Sequence, residues 1–183
     1  KKEKDLRIII ASGDMDTLQL VDNDRVVVYT LKKGLNDTIL YNEKAVVERF
    51  EFLPKYLPDY KGLRGDPSDN IIGIPGIGEK TATTLIKEFK TIEEMYKVLK
   101  KGTERFESIG IKPRVIELLK THEEDALFSK TLATIRRDAP MQFTFPATPW
   151  HEHFTSAALE ALFAELEFRS MGARARELNG GAG

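Results

Sequence analysis

The sequence predicts an α/β lobe followed by a helical lobe, and three observations carry that expectation. Short, β-branched apolar runs bounded by turn formers fill the stretch before Pro54, at Leu6 to Ala11 and Arg25 to Leu31. From Pro54 onward the apolar residues recur at helical spacing instead. Within that second part a glycine-rich segment, Gly73 to Lys80, leads directly into a helix.

Each element follows from local pattern. Leu6 to Ala11 is a nearly continuous apolar run, the signature of a strand covered on both faces in a parallel sheet. It ends in Ser12-Gly13-Asp14-Met15-Asp16. Arg25 to Leu31 reads as a second strand; the turn formers Lys33-Gly34-Leu35-Asn36-Asp37 lead to a third at Thr38 to Tyr41. Asn42 is placed to cap a helix carrying Ala45, Val46, Val47 and Phe50. The β signals then thin out, which sets lobe boundaries at 1–53 and 54–175, with linker composition over 176–183.

In the second lobe Ala82, Leu85, Ile86 and Phe89 mark one helix, and Thr91-Ile92-Glu93-Glu94 is a capping box for the next, to Lys100. Pro113 sits at a helix start, Leu127 to Ile135 continues the apolar pattern, and Arg136-Arg137-Asp138-Ala139-Pro140 breaks it. The last helix is expected over Ser156 to Phe168, with Leu159, Leu162, Phe163 and Leu166 packed into a core. There is no internal repeat.

Composition sets outer bounds. At 183 residues and 41% hydrophobic, the chain can bury a core in one domain or two lobes. Its 28 Lys+Arg against 29 Asp+Glu, net −1, make any nucleic-acid contact a local affair. The lack of cysteine excludes disulfides and cysteine-rich zinc sites and fits a reducing cytoplasm. No apolar run is long enough for a bilayer, and Lys1 to Asp5 is no signal peptide, so a cytoplasmic protein without membrane association is expected. The first apolar run begins almost at once, as in a fragment.

Gly73-Ile74-Pro75-Gly76-Ile77-Gly78-Glu79-Lys80-Thr81 carries the clearest chemistry. Glycine at 76 and 78 permits positive φ and lets successive backbone N–H groups approach a phosphate closely. Ile74 and Ile77 are suited to anchoring the hairpin in the core, the following helix offers its N-terminus to an anion, and Lys80 adds a cation. Such contacts grip backbone and read no sequence. The plainer alternative is an ordinary Gly/Pro loop before a helix. A Walker loop is excluded by Gly78-Glu79-Lys80-Thr81, where Gly-Lys-Ser/Thr is needed.

Asp14 and Asp16 follow the first strand directly, where parallel α/β sheets place ligand groups. Being two apart, they share a side if extended geometry persists. Asp66 and Asp69 lie three apart just before the hairpin, so a helical turn aligns them. Either pair alone fits capping or turn roles; both together, beside a phosphate-gripping hairpin, point to Mg²⁺ or Mn²⁺. His151-Glu152-His153 reads as solvated turn residues rather than a metal site. Trp150 and Phe154 are more readily packed than stacked on bases. Lys87, Lys90, Lys97, Lys100 and Lys101 form either a phosphate track or two wet helix faces, and Arg136 and Arg137 are equally open.

These residues resemble the 5′ nuclease domain of bacterial DNA polymerase I type and, more distantly, the flap endonucleases. The resemblance runs through Gly13-Asp14-Met15-Asp16 with Gln19-Leu20, through Gly65-Asp66-Pro67-Ser68-Asp69-Asn70 into the hairpin, and on to Leu132-Ala133-Thr134-Ile135, Asp138 and Glu167-Phe168. It implies a partial PIN-like parallel sheet followed by a helix-three-turn-helix lobe of helix-hairpin-helix type. It further implies a two-metal site in which Asp14, Asp16 and Asp69 bind the second ion with Asp66 close by. The implied DNA contacts are Gly73, Gly76, Ile77, Gly78, Lys80 and Thr81, in many members with K⁺ on backbone carbonyls.

The implied activity is 5′-3′ exonuclease or flap cleavage of duplex, nicked or 5′-flap DNA, or of RNA primers, in replication and repair. Where many relatives carry Lys between the first two aspartates, this chain has Met15. The family's amino-terminal half, with the first-metal acids and helical arch, is not in this sequence, and whether a polymerase domain follows Gly183 is left open by the sequence. Cleavage by the chain alone is therefore expected to be absent or slow. The competing expectation is a non-catalytic duplex-binding module; a plain helix bundle explains neither the acids nor the glycines.

Overall fold

The computed structural model describes residues 6–32, 37–149, 155–168 and 170–172. The turn residues 33–36, the stretch 150–154 with its two histidines and Trp150, and the tail 176–183 lie outside the described residues.

Three strands form the sheet in the order β1-β2-β3: β1 Ile8–Ala11, β2 Val26–Leu31 and β3 Thr38–Tyr41. β1 pairs parallel to β2 with Ile8 opposite Val26, and β3 returns antiparallel with Tyr41 opposite Val28. The parallel pairing is as expected, but β1 is not covered on both faces: Ile9 is 57% exposed, and Tyr29, Leu31 and Leu40 are also open. Within Lys1–Arg137 no described element covers that face, so the continuous apolar run of β1 meets a one-sided environment. The other face packs under α1, Glu43–Phe50, whose N-terminus is capped by the Asn42 carboxamide accepting from Ala45 N–H at 2.9 Å.

The helical part begins with α2, Leu57–Arg64, which the periodicity does not reveal. Leu57 to Leu63 are all buried, so there is no wet stripe to produce a 3.6-residue rhythm. α3 Glu79–Phe89 and α4 Ile92–Leu99 follow; Thr91 caps the latter by accepting from Glu94 N–H at 3.2 Å, as the capping box predicts. Then come α5 Glu104–Ser108, α6 Pro113–Thr121 and α7 Glu123–Ala133. α7 packs against α2 at Gly62, where a Cβ would stand 2.9 Å from the Ala126 carbonyl.

One hydrophobic cluster joins the inner sheet face to the helices, from Leu18, Val28 and Tyr41 through Leu63 and Ile74 to Leu85, Phe106 and Leu119. Phe89 and Phe106 stack inside it with ring centroids 4.5 Å apart.

The chain divides into two units, Lys1–Arg137 and Asp138–Gly183. All the elements above belong to the first. The second contains α8, Ser156–Glu165, capped by Thr155. Core packing is expected along its apolar face, yet Leu162 and Leu166 are each about half exposed. Within the unit, no second described helix or strand of comparable length exists to cover them. No described helix is long and apolar enough to cross a membrane.

Candidate metal centre and phosphate-gripping hairpin

The chain leaves β1 at Ala11 and turns at once. Extended geometry does not persist through Asp14-Met15-Asp16, so the two acids do not share a side by strand alternation. Asp14 instead caps a 3₁₀ turn over Met15–Leu20, its Oδ1 accepting from Asp16 N–H at 2.8 Å. That cap directs Asp16 inward and leaves Asp14 exposed.

The second pair does come together through a helical turn. Asp66 caps a 3₁₀ turn over Pro67–Asp69, its Oδ1 accepting from Ser68 N–H at 3.1 Å and from Ser68 Oγ at 2.6 Å. In 3₁₀ geometry residues three apart eclipse, which brings Asp66 and Asp69 to one side. Asp66 and Ile71 pin the loop with reciprocal backbone bonds of 2.8 and 2.9 Å.

The result is a three-carboxylate group. One oxygen each from Asp16, Asp66 and Asp69 lies within 4.8 Å of the others. Asp14 is not in it. Such a set of hard, partly exposed oxygens, with no sulfur or imidazole, is suited to a hard divalent cation.

Sequence reasoning missed Lys61. It projects from α2 between the acids, pairing with Asp16 Oδ1 and with Asp66 Oδ2 at 2.5 Å. Burial pulls its pKa down, but the bonds to the two carboxylates outweigh that and hold it above the ordinary lysine value. Burial likewise raises Asp66, yet Lys61 and Ser68 together keep it below the usual carboxylate range. For Asp16 burial prevails over Lys61 and the pKa is raised. The available signal was a lysine inside the apolar segment Tyr60-Lys61-Gly62-Leu63, five residues before Asp66.

The hairpin divides into an anchor and a surface. Gly73, expected at the DNA surface, is buried, and its N–H donates to Ser129 Oγ at 3.1 Å. Ile77 is a core anchor, 3% exposed, its N–H donating to the Ile74 carbonyl. The exposed residues are Gly76, Gly78 and Lys80, with Thr81 half-buried. Positive φ is realised at Gly76 (+93°) but not at Gly78, which has φ −91° and serves as N-cap of α3. Gly78 has no side chain to cap with, no other side chain caps the first turn of α3, and its opening residues Glu79 and Lys80 are exposed. Lys80 adds positive charge there; Glu79 opposes it.

Residues 52–155 match the profile of the family described as 5′-3′ exonuclease, C-terminal SAM fold. The chain belongs to this family. Among its relatives, the DNA polymerase I of Bacillus caldotenax is 39% identical over 169 residues, covering 92% of this chain and 18% of that protein. That of Mycobacterium leprae (strain TN) is 34% identical over 180 residues, covering 97% and 18%. The chain thus spans about a fifth of the length of these relatives. Among solved structures, T5 5′-exonuclease with divalent metal ions (zinc) bound matches with a TM-score of 0.55 at 22% identity, over 69% of this chain and 42% of that one. At that identity the likeness concerns the fold, and it supports the exonuclease-type arrangement of a small sheet followed by helices.

Proposed function

We propose that this chain is the metal-holding and DNA-gripping portion of a structure-specific 5′-3′ exonuclease or flap endonuclease, acting on DNA or RNA-primer phosphodiesters in replication and repair. The observation that carries the reading is the convergence of Asp16 with Asp66 and Asp69, the latter two standing just ahead of the hairpin in sequence. The metal-bound T5 relative supports it. So does a T5 flap endonuclease solved with DNA and metal ions.

In this reading Asp16, Asp66 and Asp69 hold a divalent cation, and Asp14 orients Asp16 through its cap while bordering the site as an outer carboxylate. A bound Mg²⁺ or Mn²⁺ supplies Lewis acidity to a phosphodiester and its attacking water. Gly76, Gly78, Lys80 and Thr81 hold the duplex backbone, while Gly73 and Ile77 set the hairpin's shape. K⁺ on hairpin carbonyls and a cytoplasmic setting belong to the same proposal.

A second reading for the isolated chain is sequence-independent binding of duplex, nicked or 5′-flap DNA without efficient cleavage. It is favoured by the single acidic group: among the described residues three carboxylates converge in one place, enough to hold one such ion, and a second ion needs ligands of its own. A further acidic shell from an amino-terminal nuclease segment completes the site in this view.

Calorimetric titration with Mn²⁺ tests the metal: Asp16→Asn and Asp69→Asn are each expected to weaken binding at least about tenfold, a loss of roughly 1.4 kcal/mol. Duplex affinity should fall steeply with salt and drop in Gly76→Asp/Gly78→Asp. Identical Mn²⁺ isotherms for wild type and both Asn variants would remove the metal reading, and unchanged DNA affinity in the hairpin variant would remove the grip.

A further inference from the structure

The acid cluster already carries a cation belonging to the protein. Lys61 extends from a helix buried along almost its whole length, and its side chain is only 10% exposed. Its ammonium satisfies Asp16 and Asp66 together, two of the three acids that converge. A divalent ion binding the same carboxylates takes their oxygens at about 2.1 Å. Two cations held on the same pair of carboxylates repel each other strongly at that range, and partial burial weakens the screening.

Resting on the reading of this cluster as a metal site, we propose that Lys61 is its built-in counter-ion. The ammonium holds Asp16 and Asp66 in the metal-free protein and must leave them for a divalent cation to bind. Metal affinity is then set by competition between an ion in solution and a lysine tethered beside the site.

The device has a physical rationale. Without any cation, converging carboxylates repel one another and the two 3₁₀ turns that present them are forced apart. Lys61 suppresses that repulsion and keeps the ligands arranged, at a cost in metal affinity. Its four-carbon stem allows the head to swing while the backbone of α2 stays packed on α7. In this scheme Lys61 is a positioning residue rather than a metal ligand.

Two measurements decide it. The first is Mn²⁺ titration of Lys61→Met, Lys61→Arg and Asp69→Asn beside wild type, with far-UV circular dichroism confirming the fold. Loss of charge-assisted bonds to the ammonium predicts about tenfold tighter Mn²⁺ binding in Lys61→Met. Lys61→Arg, which keeps the charge, should stay close to wild type. The second is acylation of the wild-type chain by an amine-reactive ester, read by mass spectrometry with exposed Lys44 as reference. Saturating Mn²⁺ should raise Lys61 labelling severalfold and leave Lys44 unchanged.

Unchanged or weaker Mn²⁺ binding in a folded Lys61→Met chain means that ammonium and metal coexist, and overturns the proposal. So does Lys61 labelling that stays flat or falls as Mn²⁺ saturates. The Asp69→Asn arm separates this failure from that of the metal site itself. If Asp69→Asn leaves the isotherm unaltered, the cluster is not the binding site; if it weakens binding while the Lys61 results are negative, only the counter-ion role falls.

Discussion

Gln19 and Ala133 are joined across 114 residues of sequence: the Gln19 Nε2 donates to the Ala133 carbonyl at 2.7 Å, in a fully buried position. The same side chain accepts from Ile135 N–H at 3.2 Å, and Arg137 donates to the Gln19 carbonyl at 2.8 Å. The turn that presents Asp16 is therefore fastened to the end of α7. Gln19→Leu keeps the volume but leaves a buried carbonyl without its partner, so we expect a loss of about 1–3 kcal/mol. Urea unfolding reads it; a midpoint within error of wild type would show that this fastening contributes nothing.

Two glycines of the hairpin should respond in opposite ways. A Cβ at Gly73 would meet Gly65 N at 2.2 Å, and its φ of +64° is unfavourable for a side chain as well. Gly73→Ala should therefore destabilise the fold by about 3 kcal/mol or more. At Gly78 φ is ordinary and nothing lies within 4 Å of where a Cβ would stand, so Gly78→Ala should cost only about 1 kcal/mol, the ordinary penalty for Ala in place of Gly at an N-cap. If Gly78 is bare in order to let a phosphate approach, that same variant loses duplex affinity. A stable Gly78→Ala chain with full DNA affinity would show that the missing Cβ serves no ligand.

How much of this is legible in the sequence depends on what kind of signal each residue leaves. Asn42, Thr91 and Pro113 are readable because caps and helix starts are local chemistry, and each stands where its side chain predicts. Asp66 and Asp69 are placed together by the assumption of a helical turn, which the 3₁₀ segment provides. Asp14 misleads because two-residue spacing implies a shared side only in a strand, and the strand has already ended. α2 and Lys61 are invisible to periodicity: a helix buried all round has no amphipathic rhythm, and its ion pair with Asp16 spans 45 residues. The packing of Gly73 is not legible because a glycine required for backbone packing and one required for ligand approach look the same in a sequence.

The position of Asp14 yields a graded prediction. As a cap it needs only an acceptor, which asparagine supplies; as a metal ligand it needs its charge. Asp14→Asn should therefore preserve stability and lower Mn²⁺ affinity by about threefold at most, well short of the roughly tenfold loss expected for Asp16→Asn. Asp14→Ala should cost about 1 kcal/mol through the lost cap. Equal Mn²⁺ losses in Asp14→Asn and Asp16→Asn would instead make Asp14 a full ligand.

Away from the site, Lys130 closes a network that locks α2, α4 and α7. Its ammonium pairs with Asp59 at 2.6 Å and Glu93 at 2.7 Å, and Asp59 also accepts from Ile92 N–H at 2.9 Å. Asp59 is 3% exposed, and burial raises its pKa more than Lys130 and Ile92 lower it. Lys130→Met strands this carboxylate, so near neutral pH we expect a loss of about 3 kcal/mol. The penalty has a predictable pH dependence. An acid whose folded pKa exceeds 3.8 gains stability as pH falls through the folded value, so protonating Asp59 relieves the variant and the gap to wild type narrows toward about pH 4. At the other end, Lys130 has a folded pKa above 10.5, so its contribution to wild type is complete below that value and lost as pH rises through the folded one. The stability difference between wild type and Lys130→Met should therefore be largest between these limits, as measured by urea unfolding across pH. A difference that stays constant from about pH 4 to pH 9 would mean that packing of the lysine stem, rather than the buried ion pair, sets its contribution.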